Sequence, residues 1–260
     1  MNSIFGADWA AEVSAAAGWP WLSVVTVDTT GSTNADLAAQ ARAGAPTGSV
    51  LVAAHQSGGR GRLDRSWSAP PGTSLAISAL LRPPEQLSVM RWLWLPLLTG
   101  VAVVDGVRAT TGLAAELKWP NDVLIDGRKL CGILSERIVS EAGVAVVIGM
   151  GLNTRLTAEQ LPVPTATSLA LAGAMVDEKQ LVIAILRALG GWYRRWLDGE
   201  DLAPVLTDRC DTVGRSVRVE LVGQPAVLGE AIGIDGEGRL VVRTGTHDQA
   251  FSAGDVIHLR

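Results

Sequence analysis

The segment that most restricts the fold is AELKWPNDVLIDGRKLCGILSERI, residues 115–138, followed closely by GVAVVIGMGLN, residues 143–153. Asp126-Gly127 lies between two apolar, strand-like runs. An Asp-Gly pair supplies the positive-φ residues of a tight turn, so the runs on either side are expected to fold back on each other antiparallel. Two short strands around that turn, with a third over 143–153, commit this region to hairpin pairing rather than to the crossovers of a parallel sheet. Further strands are expected in LSVVTVDTT, SVLVAAHQ and SLAISALLR. Helices are expected within residues 1–23, ending near Gly18 and Pro20, in GSTNADLAAQARAGAP with Ser32 or Thr33 at its start, in MRWLWLPLLTGVAVVDGVRATTG up to Gly112, and over 177–197 and 201–209. Arg91, Pro96 and Asp105 interrupt the most apolar of these, which reads as a buried helix and not as a membrane span.

The reading is therefore α+β: a mixed, largely antiparallel sheet with helices over residues 1–212. From Val213 the texture changes to short alternating strands with turn signals at intervals of about ten residues. Residues 213–260 are expected to form a small β-barrel, too small to be stable alone and so leaning on the larger unit.

Charge narrows the possible partners. The 260 residues carry a formal net charge of -4. No global basic field is available to attract nucleic acid or an anionic membrane surface. Two cysteines, Cys131 and Cys210, are too few for a disulfide framework, and the three histidines form no zinc pattern. Cys131 lies in an apolar run and reads as a small core residue. No basic residue precedes Arg42, so the start lacks the charged region of a signal peptide, and a cytoplasmic location is expected.

Against this background QSGGRGRLDRSW, residues 56–67, is anomalous, with three glycines and three arginines in one run. Glycine lets backbone N–H groups approach a ligand, and arginine forks match phosphate or carboxylate oxygens, so the run reads as an anion cradle. A solvated surface loop is the other reading of these residues alone. Trp67 can stack on a base or pack in a core. P-loop and Rossmann signatures are absent. Lys118 and Lys129, on strand-like segments joined by a turn, are aimed at one pocket or guard strand ends.

GSTN, QSGGRGRLDRSW, KWPND, RKLCGIL and GMGLN, in this order from about Thr26 to Thr154, resemble the catalytic domain of biotin protein ligases. The segment after Val213 resembles the SH3-like end domain of that family. The resemblance implies a class II synthetase-like catalytic fold and two half-reactions. Biotin and MgATP give biotinyl-5'-AMP and pyrophosphate; the lysine of a biotin carboxyl carrier domain of acyl-CoA carboxylases then takes the biotin and releases AMP. Bringing a carboxylate onto a phosphate places like charges in contact, which fixed cations must offset.

By position, Ser32, Thr33, Asn34 and Gln56 match contacts to the biotin ureido ring, and Gly132 a close backbone approach to biotin. Arg60, Gly61 and Arg62 match the loop that closes over biotin and adenylate. Trp67 matches a residue beside adenine, with Arg65, Asn121 and Asn153 on the nucleotide side. Lys129 matches the lysine at the biotin carboxylate and α-phosphate. Lys118 is a phosphate contact, and Asp122 orients a metal ion or the acceptor amine. The expected catalytic set is Lys129, Arg60, Arg62, Lys118 and Asp122, with biotin, ATP and Mg²⁺ as the small molecules.

The chain departs from the family pattern at Arg62-Leu63-Asp64-Arg65, where glycine commonly precedes the last arginine; the Asp64 carboxylate there competes with phosphate for Arg65. Regulatory members carry a helix-turn-helix before the GSTN region. The short, non-basic segment here makes operator binding unexpected. Two other readings stand beside the ligase. A lipoate or octanoate ligase or transferase has the same fold, but GRGR and KWPND weigh against it; a biotin sensor without catalysis has no need of Lys129.

Overall fold

The computed structural model describes residues 4–63, 65–245 and 247–259. The helices are α1 (Trp9–Ala17), α2 (Thr33–Arg42), α3 (Trp94–Thr111), α4 (Glu178–Leu197) and α5 (Ala203–Arg209). The larger unit contains β1 (Ser23–Val27), β2 (Ser49–Ala53), β3 (Gly59–Arg60), β4 (Ser66–Trp67), β5 (Ser74–Leu81), β6 (Ala115–Lys118), β7 (Asp122–Ile125), β8 (Arg128–Ser140) and β9 (Gly143–Asn153). The C-terminal segment contains β10 (Ser216–Glu220), β11 (Val227–Ile234), β12 (Leu240–Thr244), β13 (His247–Phe251) and β14 (Asp255–His258).

Seven strands form one sheet in the order β1-β2-β5-β9-β8-β7-β6. Only β1 and β2 run parallel; every other pair is antiparallel, so the sheet is mixed and largely antiparallel as expected. Asp126 and Gly127 have φ of 49° and 70°, the turn geometry read from the sequence. The segment around them differs from expectation in forming three strands rather than two. Trp119-Pro120-Asn121 closes a second turn between β6 and β7, because proline has no N–H to give to a ladder. The N-terminal helix starts only at Trp9 and ends where expected, with Gly18 at φ of 75°. The glycine-arginine run pairs as a hairpin, Gly59 opposite Trp67 and Arg60 opposite Ser66.

Successive side chains in a strand face opposite sides, and that period sorts the sheet. Leu75, Ile77, Ala79 and Leu81 of β5, with Val146, Ile148, Met150 and Leu152 of β9, join the large core formed with α1, α3 and α4. Leu80, Val147, Ala145 and Ile138 face the other way and pack under Leu37, Ala38 and Ala41 of α2. The segment Met90–Thr111 is long and apolar enough to cross a membrane, yet Leu95, Leu98, Val101 and Val103 are fully enclosed by protein, as read from the sequence.

The small sheet has the order β13-β12-β11-β10-β14. It leans on the larger unit through one continuous core: Val217, Val219, Leu240 and Phe251 share a cluster with Trp94, Leu97 and Trp119. Two indole N–H groups tie its turn down, Trp94 Nε1 to Gly236 O at 3.2 Å and Trp119 Nε1 to Gly238 O at 3.3 Å.

Candidate active site

A cavity of about 390 Å³ opens on the α2 face of the large sheet. Its floor follows from the period of two. Gly132 pairs with Gly151 and Leu134 with Gly149, and across β5 Ala76 and Ser78 face the same two glycines. Large residues further along these strands support α2, whereas the small ones leave room for a ligand. A Cβ at Gly151 would come within 2.4 Å of the Trp67 ring, and one at Gly149 within 2.3 Å of Asn34 Oδ1. Ser32, Thr33, Asn34, Gln56, Arg60, Gly61, Arg62, Arg65, Trp67, Lys118, Asn121, Asp122, Lys129 and Gly132 all border this cavity.

Asn153 does not. It is buried at the end of β9, its Nδ2 donating to Thr167 O at 2.9 Å, so its amide anchors the following loop instead of facing a nucleotide.

One end of the cavity is neutral and closed. Ser32 caps α2, its Oγ accepting from Ala35 N at 3.4 Å, which places Thr33 and Asn34 in the first turn. Gln56 Oε1 accepts from Thr33 N at 2.7 Å and from Thr33 Oγ1 at 2.9 Å. Asn34 Nδ2 donates to Glu136 Oε2 at 2.7 Å and to Leu134 O at 3.2 Å, and its Oδ1 accepts from Ser78 Oγ at 2.6 Å. Both Asn34 amide hydrogens are thus committed to protein, while its oxygen, with one partner in Ser78, keeps a second acceptor position at the cavity wall. Ser32 Oγ and Gln56 Nε2 keep donor capacity at this end.

The other end is charged. Lys129 Nζ lies 2.7 Å from Asp122 Oδ1 and 5.9 Å from the centre of the Trp67 ring. Its backbone is pinned to the 161–170 loop, Lys129 N to Thr165 O at 2.8 Å and Thr167 N to Lys129 O at 2.9 Å. Arg62 donates to Asn121 Oδ1 at 2.9 Å and to Gly254 O at 3.3 Å, while Asn121 donates in turn to Ile133 O at 2.7 Å. Burial lowers the Arg62 pKa from its usual range, and Asp255 and Asp122 oppose that shift. Arg65 is ion-paired with Asp255, and Arg60 with Glu136 at 3.1 Å. Asp64, the expected competitor for Arg65, lies outside the described residues; the carboxylate seen on Arg65 comes from β14. Trp67 Nε1 is buried without a hydrogen-bond partner. Behind the floor, burial raises the Cys131 thiol pKa far above its normal value, consistent with a core residue.

The biotin/lipoate A/B protein ligase family model matches residues 26–153, and the biotin protein ligase C terminal domain matches 212–259. The biotin--[acetyl-CoA-carboxylase] ligase of Mycobacterium tuberculosis is 42% identical over 254 residues, covering 95% of this chain and 92% of that one. The chain belongs to the biotin protein ligase family. A bifunctional ligase/repressor of Bacillus spizizenii is 35% identical over 207 residues, covering 77% of this chain and 63% of that longer protein. The biotin protein ligase from Aquifex aeolicus, solved in complex with biotin and ATP, superposes with a TM-score of 0.76 at 24% identity, covering 91% of this chain and 98% of that one.

Sequence reasoning missed several residues of this family member's cavity. Gly149 and Gly151 signalled themselves by the lack of a side chain at alternate positions of an otherwise apolar strand, and fully buried Ser78, opposite Gly149, supports Asn34 at its edge. Glu220, Asp255, Val256 and Ile257 line the rim from the small sheet. No local pattern marked those four, because their place depends on how the two sheets pack.

Proposed function

We propose that the cavity is the active site for both half-reactions of biotin transfer. The chain is an ATP-dependent biotin protein ligase. The observation that carries this reading is the cavity's polarity: a neutral hydroxyl and amide end runs directly into a cluster of Lys129, Arg62 and Arg65. A ligand with an uncharged polar head and an anionic tail fits that gradient.

In this reading Ser32 and Gln56 Nε2 meet the ureido group, which would otherwise lose its hydrogen bonds on burial. The biotin carboxylate lies at Lys129, and Arg62, Arg65 and Lys118 take the phosphates. Trp67 offers its ring to adenine and its unpartnered N–H to an acceptor. A carboxylate oxygen forms a bond to the α-phosphorus as the bond to pyrophosphate breaks. Fixed cations offset the repulsion between the two anions, so positioning and charge do most of the work. In transfer, the acceptor amine bonds to the acyl carbon and AMP leaves. In this reading Asp122, beside Lys129, orients that amine and receives its proton.

Mg²⁺ enters with ATP; the only carboxylate proposed for it, Asp122, is already engaged by Lys129. The acceptor is the biotin carboxyl carrier domain of an acyl-CoA carboxylase, and the reaction belongs in the cytoplasm, where ATP and such carboxylases occur. Residues 1–212 act as the catalytic domain and 213–260 as an SH3-like domain that completes the rim. The donors at the closed end favour a ureido head over the apolar tail of octanoate or the dithiolane of lipoate.

Pyrophosphate exchange into ATP, measured with biotin, lipoate, octanoate or no acid, tests the reading. Exchange that requires biotin is expected, and Lys129→Ala is expected to lower it by about 100-fold or more. Exchange with lipoate or octanoate alone transfers the chain to the sister ligases. Biotin binding without exchange makes it a sensor.

A further inference from the structure

Glu136 belongs to β8 and stands outside the cavity, opposite Val147 in the β8–β9 ladder and two residues beyond Leu134 on the floor. Its carboxylate nevertheless joins two parts of the site. Oε2 accepts from Asn34 Nδ2 at 2.7 Å, and both oxygens lie 3.1 Å from Arg60 Nη2. Arg60 is in β3, bound to β4 through Gly59 and Trp67, and Trp67 covers Gly132 and Gly151. We propose that Glu136 is a positioning residue that locks the glycine-arginine hairpin to the start of α2, so that the neutral end and the lid over the floor are set by one carboxylate.

The links close into a ring. Glu136 holds Asn34, Asn34 Oδ1 accepts from Ser78, Ser78 Oγ lies 2.8 Å from Thr33 Oγ1, and Thr33 binds Gln56. From Gln56 the chain runs four residues to Arg60, which returns to Glu136. The hairpin is thereby clipped on both sides of its first strand, by a neutral amide at Gln56 and by a charge at Arg60. An ordinary surface ion pair contributes little because water competes for both ends. This pair differs in its third member: the Asn34 side chain is buried, and its amide orientation depends on an acceptor at Glu136. With a neutral partner in place of the carboxylate, Asn34 retains an acceptor but Arg60 loses its counter-charge. Hairpin and neutral end then part company.

The inference rests on the ligase reading and is tested by a double-mutant cycle of Glu136→Gln and Arg60→Gln, with exchange kinetics for biotin and ATP and thermal melting of each variant. Glu136→Gln is expected to raise the KM for biotin by about threefold to tenfold, the effect of one charge-assisted hydrogen bond, with a smaller change in kcat and the melting temperature held. In the Arg60→Gln background the same substitution is expected to add little. An unchanged biotin KM in Glu136→Gln, or an effect that persists in full without Arg60, overturns the proposal. A parallel fall in melting temperature that accounts for the loss also overturns it, by making Glu136 a plain stability residue. Wild-type protein that shows no biotin-dependent exchange sinks the ligase reading itself, an outcome visible before any variant is made.

Discussion

The two ends of the cavity are held by different forces. At the α2 end, Thr33, Asn34, Gln56 and Ser78 bond one another through neutral groups, and Thr33, Asn34 and Ser78 are buried. At the other end Arg65 and Lys129 are substantially exposed and rest on carboxylates, and Glu136 bridges the two ends through Asn34 and exposed Arg60. A neutral network in a dry setting is costly to leave half-made, so it keeps its shape before a ligand arrives. Exposed ion pairs are weak and exchange readily, so their cations can trade a carboxylate for a phosphate.

The sharpest way to break this contrast is to fill the floor. Gly151→Val places a branched side chain where even a Cβ lies 2.4 Å from the Trp67 ring, so Trp67 and a ligand cannot both occupy the floor. Biotin affinity measured by calorimetry is expected to fall by about 100-fold or more, while circular dichroism is retained. Unchanged affinity means that the ligand lies elsewhere.

Ser78→Ala probes the neutral end alone. It removes a fully buried hydroxyl and strands Asn34 Oδ1, a cost of about 1–3 kcal/mol in unfolding free energy. The KM for biotin is expected to rise and that for ATP to stay. If ATP suffers as much as biotin, the two ends are not separable.

A smaller effect is expected from salt. Screening acts on the exposed charges, so the KM for ATP should climb with ionic strength more steeply than that for biotin. Asp255→Asn frees Arg65 from its counter-ion and is expected to change stability by less than about 1 kcal/mol. Stabilisation lost well beyond that indicates that the pair is structural.

A last effect, outside the cavity, belongs to the seam behind the charged end. His258 Nε2 lies 3.1 Å from Thr212 Oγ1, and its pKa is lowered from 6.5 to about 4 by burial and then by the charge of Lys118, with Arg215 acting the same way and Asp211 opposing. The folded protein resists protonation that the unfolded chain accepts below 6.5. This contribution is therefore present above that pH and is lost as pH falls toward 4. Denaturant midpoints should decline over that window, and His258→Gln should flatten the decline. An identical slope in the variant removes His258 from the explanation.

Much of this molecule was legible because it is local. The Asp126-Gly127 turn, the Ser32 cap and the Gly112 stop of α3 follow from backbone preferences of a few residues, and the structure contains each of them. The resemblance carried most of the site: of the residues it implied, only Asn153 faces away from the cavity. Asn34 reaches the cavity, but its amide also bonds partners from β5 and β8 that no neighbouring residue could announce.

The residue sequence by itself determined the Asp126-Gly127 turn, the caps of α2 and α3, the alternation that leaves glycines on one face of β9, and the supply of cations in the 56–67 run. These depend on φ, ψ, side-chain size and charge, which each residue carries with it. Tertiary structure alone decided which carboxylate meets which arginine, that Asn34 bonds Ser78 and Glu136, and that β14 brings Asp255 to the rim. Such pairings join residues far apart in the chain, and their free energy exists only after the sheets have packed and water has left the space between them.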